Sequence, residues 1–428
     1  MLLERGADIL SGASKGNSAM LHTGFDAPPG SLELACIQAG HAEYLAIRES
    51  LGLPVLETGG LMVAWNEEEL GRLPAVVARA HQNGVTDVSQ IGAEDVRRRE
   101  PNLAPDALGG VSVPREHIID PWSAPLAYAL QAMAHGGQLR RGCEVRGGDF
   151  TNGRWRLATT LGSVDARIVV NAAGLHGDLV ETIARPSPFT IRPRKGQFVV
   201  FDKPAARLIT ASIMPVPSER TKGVMIARTI FGNLLVGPTA EDQDDRAHAT
   251  LDQAQLEALI GRGQRMLPAL AGVSVNAAYA GLRPATDSKD YVVEALAQAN
   301  WITAAGIRST GLTGALGIAR HAAALYERHF GRLEDAPSPA RISMPNLAEH
   351  LPRPCMKPGY GEMVCHCELV TQKEIEQALV GPLPATDVGG LKRRTRAMMG
   401  RCQGFYCSAR IAALAKGRLA GLSTEPLP

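Results

Sequence analysis

Seven cysteines are spread unevenly over 428 residues: Cys365, Cys367, Cys402 and Cys407 cluster in the last quarter, while Cys36, Cys143 and Cys355 stand apart. An odd, clustered set in a long chain reads as metal or redox chemistry, not as a disulfide framework. Two close pairs of thiolates can hold zinc or an iron–sulfur cluster. Zinc ribbons usually space each pair by about two to four residues. A Cys-x-Cys pair such as Cys365-His-Cys367 puts its sulfurs on one short turn, which suits two ligands on one iron of a 2Fe–2S centre. Lys392, Arg393, Arg394, Arg396 and Arg401 lie between and beside the pairs. Four thiolates around a cluster leave net negative charge, which a basic segment offsets. The same run also reads as a solvated helix face, and a structural zinc site stays open as an alternative.

These residues need a scaffold. Hydrophobic residues at 45% and charged residues at 21% are ordinary for a globular chain and exclude disordered, collagen-like and coiled-coil classes. A net charge of +2 gives no field that points to nucleic acid. No apolar run nears the roughly 18 residues of a spanning helix. The first residues also lack the basic-then-apolar pattern of a signal peptide, so a cytoplasmic location is the expectation. Helices are predicted over 31–49 with Ser31 as cap, over 73–81 closed by Asn83-Gly84, over 124–134 after Asp120-Pro121, and over about 310–330. Strands are predicted over 167–170, 197–201, 233–236, 291–294 and 301–304. The last runs through Gly306 into a Gly- and Ala-rich helix, the local form of a nucleotide-binding α/β unit. Prolines 337, 339, 345, 352, 354 and 358 mark residues 335–360 as a linker, with a cysteine-rich module over 361–416.

Val364-Cys-His-Cys-Glu368, Leu391-Lys-Arg-Arg-Thr-Arg396 and Met399-Gly-Arg-Cys-Gln-Gly404 with Cys407 resemble the bacterioferritin-associated-ferredoxin-like 2Fe–2S module, which is often fused behind flavoprotein dehydrogenases. The resemblance implies a 2Fe–2S cluster on Cys365, Cys367, Cys402 and Cys407. Residues 1–334 resemble the FAD-dependent family that includes D-amino-acid oxidases, glycerol-3-phosphate dehydrogenases and 2-hydroxyglutarate dehydrogenases. Four segments carry this second resemblance. Leu2-Leu3-Glu4 looks like the end of a buried strand whose acidic residue, Glu4, bonds the FAD ribose. Ser11-Gly-Ala-Ser-Lys-Gly-Asn-Ser18 looks like the loop around the FAD phosphates, through Ser11, Ala13, Ser14, Asn17 and Ser18, and leads to His22 beside the flavin. Ile168-Val-Val-Asn-Ala-Ala-Gly174 would close over the dinucleotide with Ala173 and Gly174. Gly281-Leu-Arg-Pro284 and Gly306-Ile-Arg-Ser-Thr-Gly-Leu-Thr313 would place Arg283, with Arg308 as a second candidate, on the substrate anion. Gly311, Leu312 and Thr313 would offer a helix N-terminus to the flavin.

The implied fold is α/β: a Rossmann-like FAD-binding domain with an interleaved α+β substrate domain (roughly 52–145 and 186–285) and a small helical module behind it. The family's opening strand and Gly-x-Gly-x-x-Gly turn are missing, and the expectation is an N-terminal truncation. The implied chemistry is oxidation of a small anionic hydroxy compound, glycerol 3-phosphate first, with His22 as base and electrons leaving through the cluster. The acceptor would be a quinone or a redox subunit, with peripheral attachment to the inner face of the cytoplasmic membrane as a corollary. The alternatives are a 2-hydroxy acid dehydrogenase, amine oxidation on the same fold, and a non-catalytic redox or scaffold subunit.

Overall fold

The computed structural model describes residues 1–217, 223–334 and 338–421. Two short sheets form the nucleotide-binding part. In one, Leu2–Leu3 pairs in parallel with Leu139–Arg140. In the other, Val169–Asn171 runs parallel to Trp301–Ala305, which pairs antiparallel with Val292–Leu296. Leu2 and Val170 are 51% and 53% exposed, so each sheet presents an apolar edge. Trp301 is fully buried and packs 5.1 Å from Trp155 of the neighbouring three-stranded sheet. The carboxylate of Glu181, out of contact with solvent, accepts from Asn171 Nδ2, Trp301 Nε1 and Thr303 Oγ1 and so ties the parallel strands together.

The helix Leu32–Leu51 begins at Ser31, whose side chain accepts from the Leu34 amide, and ends at Gly52 in the left-handed region. It crosses helix Gly311–Phe330 at glycines. A Cβ on Gly317 would overlap the Cys36 carbonyl, and one on Gly40 would overlap that of Thr313. Close backbone approach is the reason the second helix is rich in small residues. The helix predicted from residue 73 begins at Glu67, because Asn66 accepts from the Glu69 amide and three glutamates follow in the first turn.

The largest sheet among the described residues is nine-stranded and mixed. Its spine is the long antiparallel pair Arg192–Phe201 and Val275–Ala285, in register with Arg194 opposite Arg283. Loop 11–18 lies against this pair, close enough that a side chain on Gly281 would overlap the Gly16 carbonyl.

The proline-rich stretch is not a free spacer. Residues 335–337 lie outside the described residues; beyond them the chain runs as a packed strap. The Met344 amide donates to Leu51 O at 2.8 Å, that of Glu349 to Ile230 O at 2.9 Å, and Leu347 and Ala348 are buried in the core beside Trp122 and Phe231. The module that follows has its own core of Val364, Val370, Ile375, Leu391 and Ile411. No helix among the described residues is long and apolar enough to cross a membrane.

The helix crossing sets a direct expectation. Gly317→Val should destabilise the protein by about 1–3 kcal/mol through overpacking. Gly71→Ala, in an open helix position, should stabilise it by up to about 1 kcal/mol. Chemical denaturation of both variants checks the pair.

Candidate active site and cluster module

Strand register places the histidine. Met20–Leu21 pairs antiparallel with the strand starting at His117, with Leu21 opposite His117. The next residues along, His22 and Glu116, therefore face each other. Glu116 is fully buried and accepts from Thr23 N at 2.6 Å and Thr23 Oγ1 at 2.8 Å through one oxygen, and lies 2.9 Å from His22 Nδ1 through the other. A carboxylate surrounded by donors can only accept, so His22 carries a proton on Nδ1, directed at Glu116. The His22 amide donates to Thr313 Oγ1 at 3.0 Å, and that hydroxyl donates to Met20 O. The histidine is thus pinned to the first turn of helix Gly311–Phe330. Glu116 was not among the candidates from the sequence; Pro-Arg-Glu-His is no motif, and only the pairing of distant strands gives it a role.

The other candidates gather round the ends of the parallel strands. Glu4 follows Leu2–Leu3 and accepts from the Gly6 amide at 2.6 Å. Ser11 Oγ donates to Asp8 O, and Asn17 bridges Ser14 O and the Ala19 amide. Tyr279 Oη donates to Asn17 O at 2.7 Å, holding the loop with Ser18 on the long strand that carries Arg283. Ala13 packs with Leu175 and Leu282, which brings the turn at Ala173 and Gly174 to the same place. Arg5 beside Glu4 reaches His176 Nε2 at 3.1 Å, closing the circle. Helix Gly311–Phe330 starts without a side-chain cap: the Thr310 hydroxyl is spent on Glu33 and Tyr291, which leaves Gly311, Leu312 and Thr313 at an uncapped positive end. Small residues, an uncapped helix start and an acidic strand end suit an FAD dinucleotide, while the Gly-x-Gly-x-x-Gly turn that grips the pyrophosphate in such folds is not in this sequence.

Arg283 and Arg308 part company. Arg308 Nη2 turns to Glu33, at 3.6 Å, and to the Lys289 carbonyl, with its side chain partly exposed. Arg283 donates to Thr239 O at 3.2 Å, and among the described residues it has no carboxylate partner. Burial, with the nearby charge of Arg194, lowers its pKa to about 10. A half-buried cation with no carboxylate partner among the described residues is the chemistry of a site that can take an anion.

In the module, thiol contacts run across the two segments: Cys367 with Cys402, and Cys365 with Cys407. These contacts bring the two cysteine segments together. No group of three or more His, Cys, Asp or Glu among the described residues is arranged around one metal ion. Amides of Tyr406, Gly404 and Phe405 point at Cys402 and hold its thiol below the usual range. Burial pushes Cys407 up to about 12. Left-handed residues at Arg396, Met398, Gln403 and Gly404 curl the loop, and Gly400 leaves no room for a Cβ beside Cys367. Four thiols in two pairs, met by backbone donors, fit a dinuclear cluster better than a mononuclear ion.

The basic run does something other than face the cluster or solvent. Arg394 forks onto both oxygens of Asp8 at 2.7 and 3.0 Å, Arg393 donates to Ile9 O, and Arg396 pairs with Glu368. These side chains are buried where the module docks on the flavin domain. Arg401 pairs with Asp202 at 2.8 Å.

A profile of the family "FAD dependent oxidoreductase" matches residues 1–325. The chain belongs to this family. Residues 363–416 match the BFD-like 2Fe-2S binding domain. A glycerol 3-phosphate dehydrogenase from Caloramator mitchellensis is 30% identical over 99% of this chain and 90% of its own length. One chain of the anaerobic glycerol-3-phosphate dehydrogenase of Escherichia coli K12 is 26% identical over 97% of this chain and 83% of that protein. Among solved structures, the FAD-bound L-alpha-glycerophosphate oxidase of Mycoplasma pneumoniae superposes with a TM-score of 0.73 at 26% identity, over 80% of this chain and 92% of that one. The protein is therefore an FAD-dependent oxidoreductase of mixed α/β fold with a small helical 2Fe–2S module, and its cofactors are FAD and a 2Fe–2S cluster.

Two variants separate the roles. Glu116→Gln should slow flavin reduction by substrate about 10²-fold with little change in substrate affinity, because it frees the base from its orientation; Glu116→Asp should recover part of the rate. Arg283→Met should weaken substrate binding at least about 10²-fold. Since its folded pKa lies below the ordinary one, the charged side chain costs stability at every pH below about 10. The same variant should thus melt no lower than wild type in the absence of substrate, and scanning calorimetry beside anaerobic titration tests both halves.

Proposed function

We propose that the chain oxidises sn-glycerol 3-phosphate at C2 to the ketone and passes the electrons through the 2Fe–2S cluster to a quinone or redox-protein acceptor. The observation that carries the reading is Arg283, half-buried and without a carboxylate partner among the described residues, matched to relatives named for glycerol 3-phosphate along almost the whole chain. Bound FAD supplies the acceptor for the hydride from C2.

The chain's own residues do the rest. Glu4, Ser11, Ala13, Ser14, Asn17, Ser18, Ala173 and Gly174 would hold the dinucleotide, and the helix start at Gly311, Leu312 and Thr313 would offer its positive end to the flavin. Arg283 takes the substrate anion with its planar fork and fixes the carbon over the ring. His22 accepts the hydroxyl proton at Nε2 as the C–H bond breaks, and the imidazolium so formed is stabilised by Glu116. Arg308, turned toward Glu33, is left out of the site. Cys365, Cys367, Cys402 and Cys407 hold the cluster.

Anaerobic addition of sn-glycerol 3-phosphate to the holoenzyme tests the reading. Flavin absorption should bleach with this substrate and far more slowly with glycerol, which lacks the anion. Bleaching by 2-hydroxyglutarate in preference to the phosphate would move the activity to the hydroxy acids, which Arg283 binds by the same fork. No bleaching with either would contradict the proposal.

A further inference from the structure

Arg396 ends helix Val388–Thr395 in the left-handed region at φ 70° and is only 6% exposed. A non-glycine residue held this way is over-determined by its surroundings. Its Nε and Nη2 donate to Glu368 Oε2 at 3.3 and 3.2 Å. Its guanidinium lies 4.1 Å from the ring centroid of Phe231 and 5.9 Å from that of Trp122. The two rings stack on each other at 5.2 Å and 14°. Both belong to the flavin domain, and Trp122 Nε1 donates at 3.3 Å to Lys15 O in loop 11–18. On the other side, Glu368 is buried and joined by one peptide bond to Cys367. Packed contact thus runs from the loop assigned to the flavin, through two rings and a guanidinium, to a cluster ligand.

The charges in this bridge have a sign. Glu368 is a buried carboxylate next to a cluster that is itself anionic, and repulsion between them grows when the cluster gains an electron. Arg396 supplies the opposing charge from the flavin side, and Lys203 Nζ stands 4.0 Å from the other Glu368 oxygen. A cation in so dry a place favours the reduced cluster, and the carboxylate disfavours it.

We propose that Arg396 is the positioning residue that couples the flavin to the cluster: it clamps the Cys367–Glu368 turn against the Trp122–Phe231 stack and, with Glu368 as counterweight, sets the cluster potential. The proposal rests on the electron route given under Proposed function. In each transfer one electron leaves the substrate-reduced flavin and one ferric iron becomes ferrous; no bond is made or broken at the cluster.

The test uses the holoenzyme with Arg396→Met, Arg396→Lys and Glu368→Gln. Cluster midpoint potentials are read by paramagnetic resonance in chemical titrations without substrate, and cluster reduction after mixing with sn-glycerol 3-phosphate is followed by stopped flow. Arg396→Met should lower the midpoint and slow cluster reduction at least tenfold, with flavin bleaching unchanged. Arg396→Lys should return the midpoint toward wild type. Glu368→Gln should shift it the opposite way, upward. Should Arg396→Met shed its iron, Glu368→Gln keeps the arginine and its ring contacts and decides by the sign of its shift. Midpoints that do not move, or that move in the same direction in Arg396→Met and Glu368→Gln, overturn the proposal. A wild-type cluster that stays oxidised while the flavin bleaches overturns the electron route instead, and the titrations still decide whether Arg396 and Glu368 set the potential.

Discussion

A single carboxylate with no access to solvent, that of Asp8, fixes how the two halves of this enzyme meet. It accepts both forks of Arg394 from the cluster module, Arg141 at 3.3 Å from beyond the strand Leu139–Arg140, and the amides of Ile9 and Thr386. Removing one partner of such a pair leaves a buried charge unmatched, at a cost of about 3–5 kcal/mol. Because Asp8 sits just ahead of loop 11–18, the same contact that seats the module also sets the loop. From there Tyr279 and Gly281 hold the loop on the strand of Arg283, and the order extends to the substrate side.

The site built on this frame gives up stability for chemistry in one place and secures it in others. Arg283 is half-buried with no carboxylate partner among the described residues, and its neighbours are locked by their own bonds: Arg194 pairs with Asp242 at 2.7 Å, and Thr239 is tied to Gln197 and Glu241. Glu116 and Glu181 are buried, yet each is met by several donors and so acts as a brace.

What could be read from the chain alone follows from where the partners lie. The cysteine-rich module and the flavin family carry their signals within short segments, so both were legible. Glu116 was not, because its partner His22 is 94 residues away and only strand register joins them. Arg393, Arg394 and Arg396 read as charge beside a cluster, since nothing local tells a docking arginine from a solvated one; Asp8 and Ile9, which receive the first two, are at the other end of the chain. The proline-rich stretch read as a spacer for the same reason: composition reports the missing amides but not the groove the strap lies in. Arg308, the second candidate, has Glu33 3.6 Å from Nη2, a contact between distant stretches of the chain that nothing local announces.

The central claim is that the C2–H bond of a phosphate-anchored substrate breaks over the flavin while His22 takes the hydroxyl proton. It is tested most directly by anaerobic single-turnover reduction of the holoenzyme with glycerol 3-phosphate carrying deuterium at C2. Flavin bleaching should slow severalfold with deuterium at C2 and stay unchanged with deuterium at C1. Equal rates for the C2-deuterated and ordinary substrates, under conditions where chemistry limits the bleaching, would contradict the account.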